Sequence, residues 1–165
     1  MSDLPYRVEY ACALLIRDRQ ILLGLRAVHR RSWPCCWDII GGHLEAGEAA
    51  STALIRELQE EIGITPTEFH YFDCIETTEF DGVTPARWHL FTVTEWTGGE
   101  PAIANDEHSQ LKWFRFEEAE SLTALASEAY RPVFARLSAA TLPRPGQKVL
   151  LLKPAAAAQY PTRSR

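Results

Sequence analysis

The chain has no apolar run long enough to cross a bilayer, and Met1–Pro5 lack the basic-then-apolar pattern of a secretory leader. A membrane span is not expected, and the cytoplasm is the expected compartment. Excess positive charge is also missing. Lys and Arg number 17 against 22 Asp and Glu, giving a net charge of −5. That balance speaks against gripping long nucleic acid by overall charge. It leaves a nucleotide open, because a metal ion can neutralise phosphate locally. Cysteine is sparse: four residues and no Cys-x-x-Cys pair. A zinc site using His29 or His43 is not expected, nor is a disulfide framework. Cys12 and Cys74 lie in apolar strand-like runs and are expected as buried thiols, whereas Cys35 and Cys36 are vicinal in a loop. No internal repeat is visible. With 46% apolar and 24% charged residues in 165, the composition is that of one soluble globular domain.

The most informative absence is local. From Ala49 to Ile62 there is neither Gly nor Pro, and good helix formers dominate. Gly63 tolerates the left-handed cap, so the helix is predicted to stop there. Glu48 at the start suits the macrodipole. Leu54, Ile55, Leu58 and Ile62 form an apolar stripe, while Glu57, Glu60 and Glu61 share another face. Three carboxylates on one turn repel each other, and a hard divalent cation among them would reverse the sign of that interaction. Gly41, Gly42 and Gly47 precede the helix. They let backbone approach a ligand closely, and a glycine loop feeding a helix start can cradle phosphate.

The pattern Gly42, five residues, Glu48, seven residues, then Arg56-Glu57-Leu58-x-Glu60-Glu61-Ile62-Gly63-Ile64 resembles a complete Nudix box. The resemblance covers roughly Tyr6 to Ala140 and is specific within the box. It implies an α+β protein, an α/β/α sandwich with a mixed β-sheet between helices. It also implies hydrolysis of a nucleoside diphosphate linked to another group, with Mg²⁺, or alternatively Mn²⁺, held by Glu57, Glu60, Glu61 and the Gly41 carbonyl. Arg56 is expected to fix Glu57 by a charge-assisted bond. Arg26 closes a strand where family members often carry a basic residue near the phosphates. Arg30 and Arg31 add positive charge that attracts a polyphosphate. Together with Gly41 and Gly42 they are the candidate substrate contacts. Asn105–His108 resembles the segment where many Nudix hydrolases carry a further carboxylate. Glu107 is favoured over Asp106, and His108 is expected to be a structural hydrogen-bonder.

Two departures from family patterns stand out. Ile40 occupies the position where family members frequently have proline before the paired glycines. The run Trp37–His43 also resembles isopentenyl diphosphate isomerases, which share the fold, but Gly41 stands where those enzymes place a catalytic cysteine directly before Gly-His.

Along the rest of the chain, Tyr6–Ile16 and Ile21–Leu25 read as strands around a polar turn. His29–Trp37 reads as a loop broken by Pro34, with Trp33 and Trp37 as anchors or as base-stacking rings. Thr65–Glu68 is expected as a connection. Phe69–Thr78, Ala86–Trp96 and Leu111–Phe116 read as strands, with Ala102–Gln110 a polar loop. Asp81-Gly82 and Gly98-Gly99 mark turns. Glu117–Ala140 reads as one helix, started or kinked at Pro132. The domain is placed at 6–141. Residues 142–165 form a tail, with Lys148–Leu152 as an edge strand that could pair in a homodimer and Pro154–Arg165 as disordered. The partner expected is a small nucleotide-type substrate. A non-catalytic nucleotide-sensing or interaction module that retains the box is the alternative.

Overall fold

A computed structural model describes residues 7–140 of the chain. Tyr6 and the tail, with the edge strand expected at Lys148–Leu152 and the disorder expected over Pro154–Arg165, lie outside the described residues.

Strand β1 (Val8–Arg17) is the centre of the sheet. It pairs in parallel with β6 (Pro85–Thr97) and antiparallel with β4 (Ile40–His43), and at its end with β2 (Gln20–Arg26). β2 in turn pairs antiparallel with β3 (Trp37–Asp38) and β7 (His108–Arg115). β5 (Thr65–Thr78) pairs antiparallel with β6 at the far side. The sheet is therefore mixed, as expected.

Alternation along β1 builds two cores. Ala11, Ala13 and Leu15 face α1 (Ala50–Ile62), packing with Ala53, Leu54, Leu58 and Ile62. Cys12, Leu14 and Ile16 face the other side, packing with Phe116 and Ala119 of α2 (Phe116–Glu120) and Tyr130, Val133, Phe134 and Leu137 of α3 (Tyr130–Ala139). The small alanines let α1 approach the sheet closely. Gly63 ends α1 at φ +71, and its N–H reaches back to Gln59 and Leu58 carbonyls. Among the described residues no helix is long and apolar enough to cross a membrane.

Several boundaries differ from the sequence reading. Trp37–Asp38 and Ile40–His43 are short strands rather than loop, because β2 and β1 offer them partners. Thr65–Glu68 belongs to β5, since Thr65 registers opposite Thr97. β7 begins at His108, within the expected polar loop, because Arg26 pairs with it. The expected helix over 117–140 is two helices. Between them Trp37 N–H donates to the Ala124 carbonyl at 2.7 Å and Ala126 N–H to the Trp37 carbonyl at 2.9 Å. That long-range pairing holds the chain extended there. Pro132 falls in the first turn of α3, where a missing N–H costs nothing. In α1 it is Ala53, not Ile55, that completes the fully buried stripe, and Cys74 is only half-buried.

Candidate active site

Three pieces meet at the C-terminal half of α1: strand β4, the β2–β3 loop, and the segment entering β7. Arg56 ties the first of these to the helix. Its guanidinium donates to Glu48 Oε1 at 3.0 Å and Oε2 at 2.9 Å, to Glu57 Oε1 at 2.6 Å, and to the His43 carbonyl at 2.9 Å. Glu60 Oε2 lies 3.4 Å away. Glu48 also accepts from the Glu45 N–H at 2.8 Å. The Arg56 bond holds the Glu48 carboxyl below its ordinary range, and Glu48 in turn raises the Arg56 guanidinium. This fork fixes Glu57, as the sequence suggested. Glu48 serves it directly rather than capping α1, which has no side-chain cap at Ala49.

Glu57 lies flat against Gly42: a Cβ there would sit 2.4 Å from its carboxyl carbon. Gly42 is thus a place for a carboxylate, in a paired strand instead of a free loop. Its neighbour Gly41, at φ +154, leaves no room either, because a Cβ would fall 2.2 Å from the Ala11 carbonyl oxygen. A cysteine cannot be accommodated at that position without moving β1.

Helical geometry separates the three glutamates more than the sequence reading allowed. Glu60 points to solvent, whereas Glu61, one residue on, is 3% exposed. Among the described residues Glu61 Oε2 has no hydrogen-bond partner; His108 Nδ1 is 3.4 Å away. Burial first, then the nearby charges of Glu57 and Glu107, push the Glu61 carboxyl well above its ordinary range. His108 fills the space over Gly24, where a Cβ would lie 2.3 Å from its ring, and among the described residues neither ring nitrogen has a hydrogen-bond partner. The expected structural hydrogen bonds of His108 are therefore absent. Burial, with Arg26 and Arg30 nearby, lowers its pKa to about 4, so the ring is neutral at pH 7.

Glu107 lies on the rim opposite α1. Arg30 Nη2 is 2.6 Å from its Oε1 and Arg26 Nη1 is 3.9 Å from its Oε2. Asp106 points away and, among the described residues, pairs with His29 alone, at 3.3 Å. Of the two, Glu107 is the one whose charge reaches Glu61. Arg26 also donates to the Ser32 carbonyl at 2.7 Å and to Asp38 at 3.2 Å. Arg26, His29, Arg30, Arg31 and Ser32 line an open cleft of about 360 Å³. Arg31 is exposed on its wall.

Asp38 was not singled out from the sequence. It is buried, bonded by Arg26 and by the Tyr130 hydroxyl at 2.6 Å, and burial raises its pKa despite both partners. A lone acidic residue before an apolar pair gives no hint of a tyrosine from α3. Trp37 anchors against Phe114, while Trp33 packs edge-on to Trp88 and Phe80.

Among the described residues no three His, Cys, Asp or Glu side chains form a ready-made metal cage. Arg56 draws Glu57 aside and solvent draws Glu60 outward. What remains is a buried carboxylate with an unpaired oxygen and acidic neighbours on two sides. An all-oxygen set of this kind fits a hard divalent cation.

A family model described as the NUDIX domain matches residues 5–137. An RNA pyrophosphohydrolase of Acidiphilium cryptum is 27% identical over 148 residues, covering 83% of this chain and 90% of that protein. An isopentenyl-diphosphate Delta-isomerase of Salmonella arizonae is 32% identical over 65 residues, which is 39% of this chain and 36% of the isomerase. Among solved structures, a MutT NUDIX hydrolase from Burkholderia pseudomallei superposes with a TM-score of 0.69 at 24% identity, over 79% of this chain and 97% of that one. That likeness establishes the mixed-sheet sandwich as the Nudix fold. The chain belongs to the NUDIX family and, as an enzyme, falls in its pyrophosphohydrolase class.

Proposed function

We propose that this protein hydrolyses the pyrophosphate link of a nucleoside diphosphate joined to another group, with Glu57, Glu60, Glu61 and the Gly41 carbonyl holding Mg²⁺, or Mn²⁺ in its place. One observation carries the reading: among the described residues Glu61 is buried without a partner for Oε2, between other carboxylates, so its ionised form is costly until a cation completes it. A bound divalent ion supplies charge neutralisation of the diphosphate and acidifies water.

The residues do the rest. Arg56 keeps Glu57 in one orientation against Gly42. Arg26, Arg30 and Arg31 receive phosphate oxygens in the basic cleft, where guanidinium forks suit them. Arg30 then exchanges its Glu107 partner for substrate, which frees Glu107. The proton of the attacking water goes to a carboxylate, either on α1 or Glu107. His108 is neutral and buried, so it presses on Glu61 as packing and adds no charge. Gly41 excludes the cysteine on which the isomerase reading depends.

The test is a substrate panel with Mg²⁺ and wild type against Glu61→Gln. It comprises nucleoside triphosphates, nucleotide sugars, dinucleotides, coenzyme derivatives and a 5′-triphosphorylated oligoribonucleotide. The last is included because of the Acidiphilium relative. Cleavage of the pyrophosphate link, read chromatographically as a nucleoside monophosphate and its phosphorylated co-product (pyrophosphate or phosphate for the triphosphates), that depends on Glu61 supports hydrolysis. A wild type no faster than the variant on every substrate favours a sensing module.

A further inference from the structure

Asp38 is a buried acid that the hydrolytic chemistry does not use. It ends β3 and is 8% exposed. A carboxylate at such a depth is costly unless its oxygens are met. Here both are. The Tyr130 hydroxyl donates to Oδ1 at 2.6 Å, and Arg26 Nη1 donates to Oδ2 at 3.2 Å. Burial pushes the carboxyl up, and the Tyr130 bond opposes that most strongly, ahead of Arg26.

Tyr130 is 1% exposed, with Trp88 and Phe134 against its ring. The hydroxyl is the one polar atom of that side chain, and it is committed to Asp38. Its place is set by more than the helix. Ala124 and Ala126 pair with Trp37, the residue before Asp38, through two backbone hydrogen bonds. That pairing seats the approach to α3 against β3.

The chain of contacts ends in the basic cleft. The Arg26 side chain is 13% exposed and lines that cleft. Its Nε donates to the Ser32 carbonyl and its Nη1 to Asp38. Among the described residues Nη2 has no partner, which leaves it for a phosphate oxygen. A rival anion stands close: Glu107 Oε2 is 3.9 Å from the same Nη1. If Asp38 loosens its hold, attraction draws Arg26 toward Glu107, and the two charges then satisfy each other instead of a substrate.

We propose that Asp38 and Tyr130 are positioning residues: the Tyr130 hydroxyl orients the Asp38 carboxylate, which fixes Arg26 with Nη2 toward the phosphates and away from Glu107. This rests on the place given to Arg26 in the reading above. Its consequence is that α3, packed on the opposite side of the sheet from the box helix, sets the affinity for the phosphate chain. A guanidinium held in advance loses less on binding than one that must first be ordered.

The experiment is a phosphorus NMR titration of the metal-free full chain with methylenediphosphonate, whose P–C–P bridge is not hydrolysed. Arg26→Gln should weaken binding about tenfold, and Tyr130→Phe, which removes one oxygen, about fivefold. In the Arg26→Gln background Tyr130→Phe should change the affinity no further, because the hydroxyl acts only through the guanidinium. Asp38→Asn keeps the shape and loses the charge; it should match Tyr130→Phe and replaces it should that variant fold poorly. With a cleaved substrate, the loss should appear in KM, with kcat within about twofold of wild type. Wild-type affinity in Tyr130→Phe beside a weakened Arg26→Gln would overturn the positioning role and leave the hydrolase reading standing. A further loss of the same size in the Arg26→Gln background would mark a general effect on the fold and overturn it as well. Wild-type affinity in Arg26→Gln would remove Arg26 from the phosphate contacts, and the proposal with it. The expected order of affinities without turnover on the substrate panel would sink the hydrolase reading alone.

Discussion

Arg56 and Glu61 lie five residues apart on one helix, yet their surroundings are opposite. Around Arg56 every charge is met: two carboxylates and a carbonyl accept from one guanidinium within 3.0 Å. Around Glu61 one oxygen goes unmet: among the described residues Oε2 has no donor, a neutral imidazole stands at 3.4 Å, and further carboxylates lie nearby. Satisfied charge of the first kind holds a shape. Unsatisfied buried charge of the second kind destabilises the fold on its own and points to a ligand.

The largest effect that follows is on Glu61. Glu61→Gln should lower the rate roughly 10²- to 10⁴-fold while leaving the metal-free protein at least as heat-stable as wild type. A large loss of stability would mean that Glu61 belongs with the structural charges. Next come the two glycines. Gly42→Ala meets only the end of Glu57, so activity should fall about 10²-fold with little change in Tm. Gly41→Ala meets Ala11 backbone and should lower Tm sharply. Equal behaviour of the two would break the distinction between site and scaffold.

The same comparison has a pH signature. Folded His108 holds its proton less tightly than the unfolded chain does. As pH falls from 6.5 to about 4 the unfolded state takes up the proton first, so this contribution to stability is lost across that window. Glu61 works the other way: its raised pKa means stability is lost as pH rises above the ordinary carboxylate range. Denaturant titrations across pH should show a rising arm removed in His108→Gln and a falling arm removed in Glu61→Gln. The smallest contrast is on the rim. Glu107→Gln should cost about tenfold in kcat/KM, and Asp106→Asn, which points away, should be neutral in the same assay.

Helix α1 was legible because a breaker-free run ends in a glycine that adopts the left-handed cap. The Arg56–Glu57 bond was legible because it is local. The core faces of β1 follow from alternation alone. What the sequence concealed depends on distant partners. Residues 117–140 carry one continuous apolar pattern, and only Trp37 pairing with Ala124 and Ala126 interrupts the helix. His108 over Gly24 joins positions 84 residues apart, and Tyr130 reaches Asp38 across 92. The spread of the glutamates is hidden because spacing of three and four residues suggests one face, although Glu60 and Glu61 are adjacent and point to solvent and core respectively.

The most direct measurement is thermal unfolding at mildly alkaline pH with increasing Mg²⁺ or Mn²⁺, on wild type and Glu61→Gln. An ion that binds only the folded protein stabilises it by RT ln(1 + [ion]/Kd), so Tm rises with the logarithm of the ion concentration above Kd. The account predicts a concentration-dependent rise for wild type and little or none for the variant. Equal rises in both proteins, or no rise in either, would contradict it.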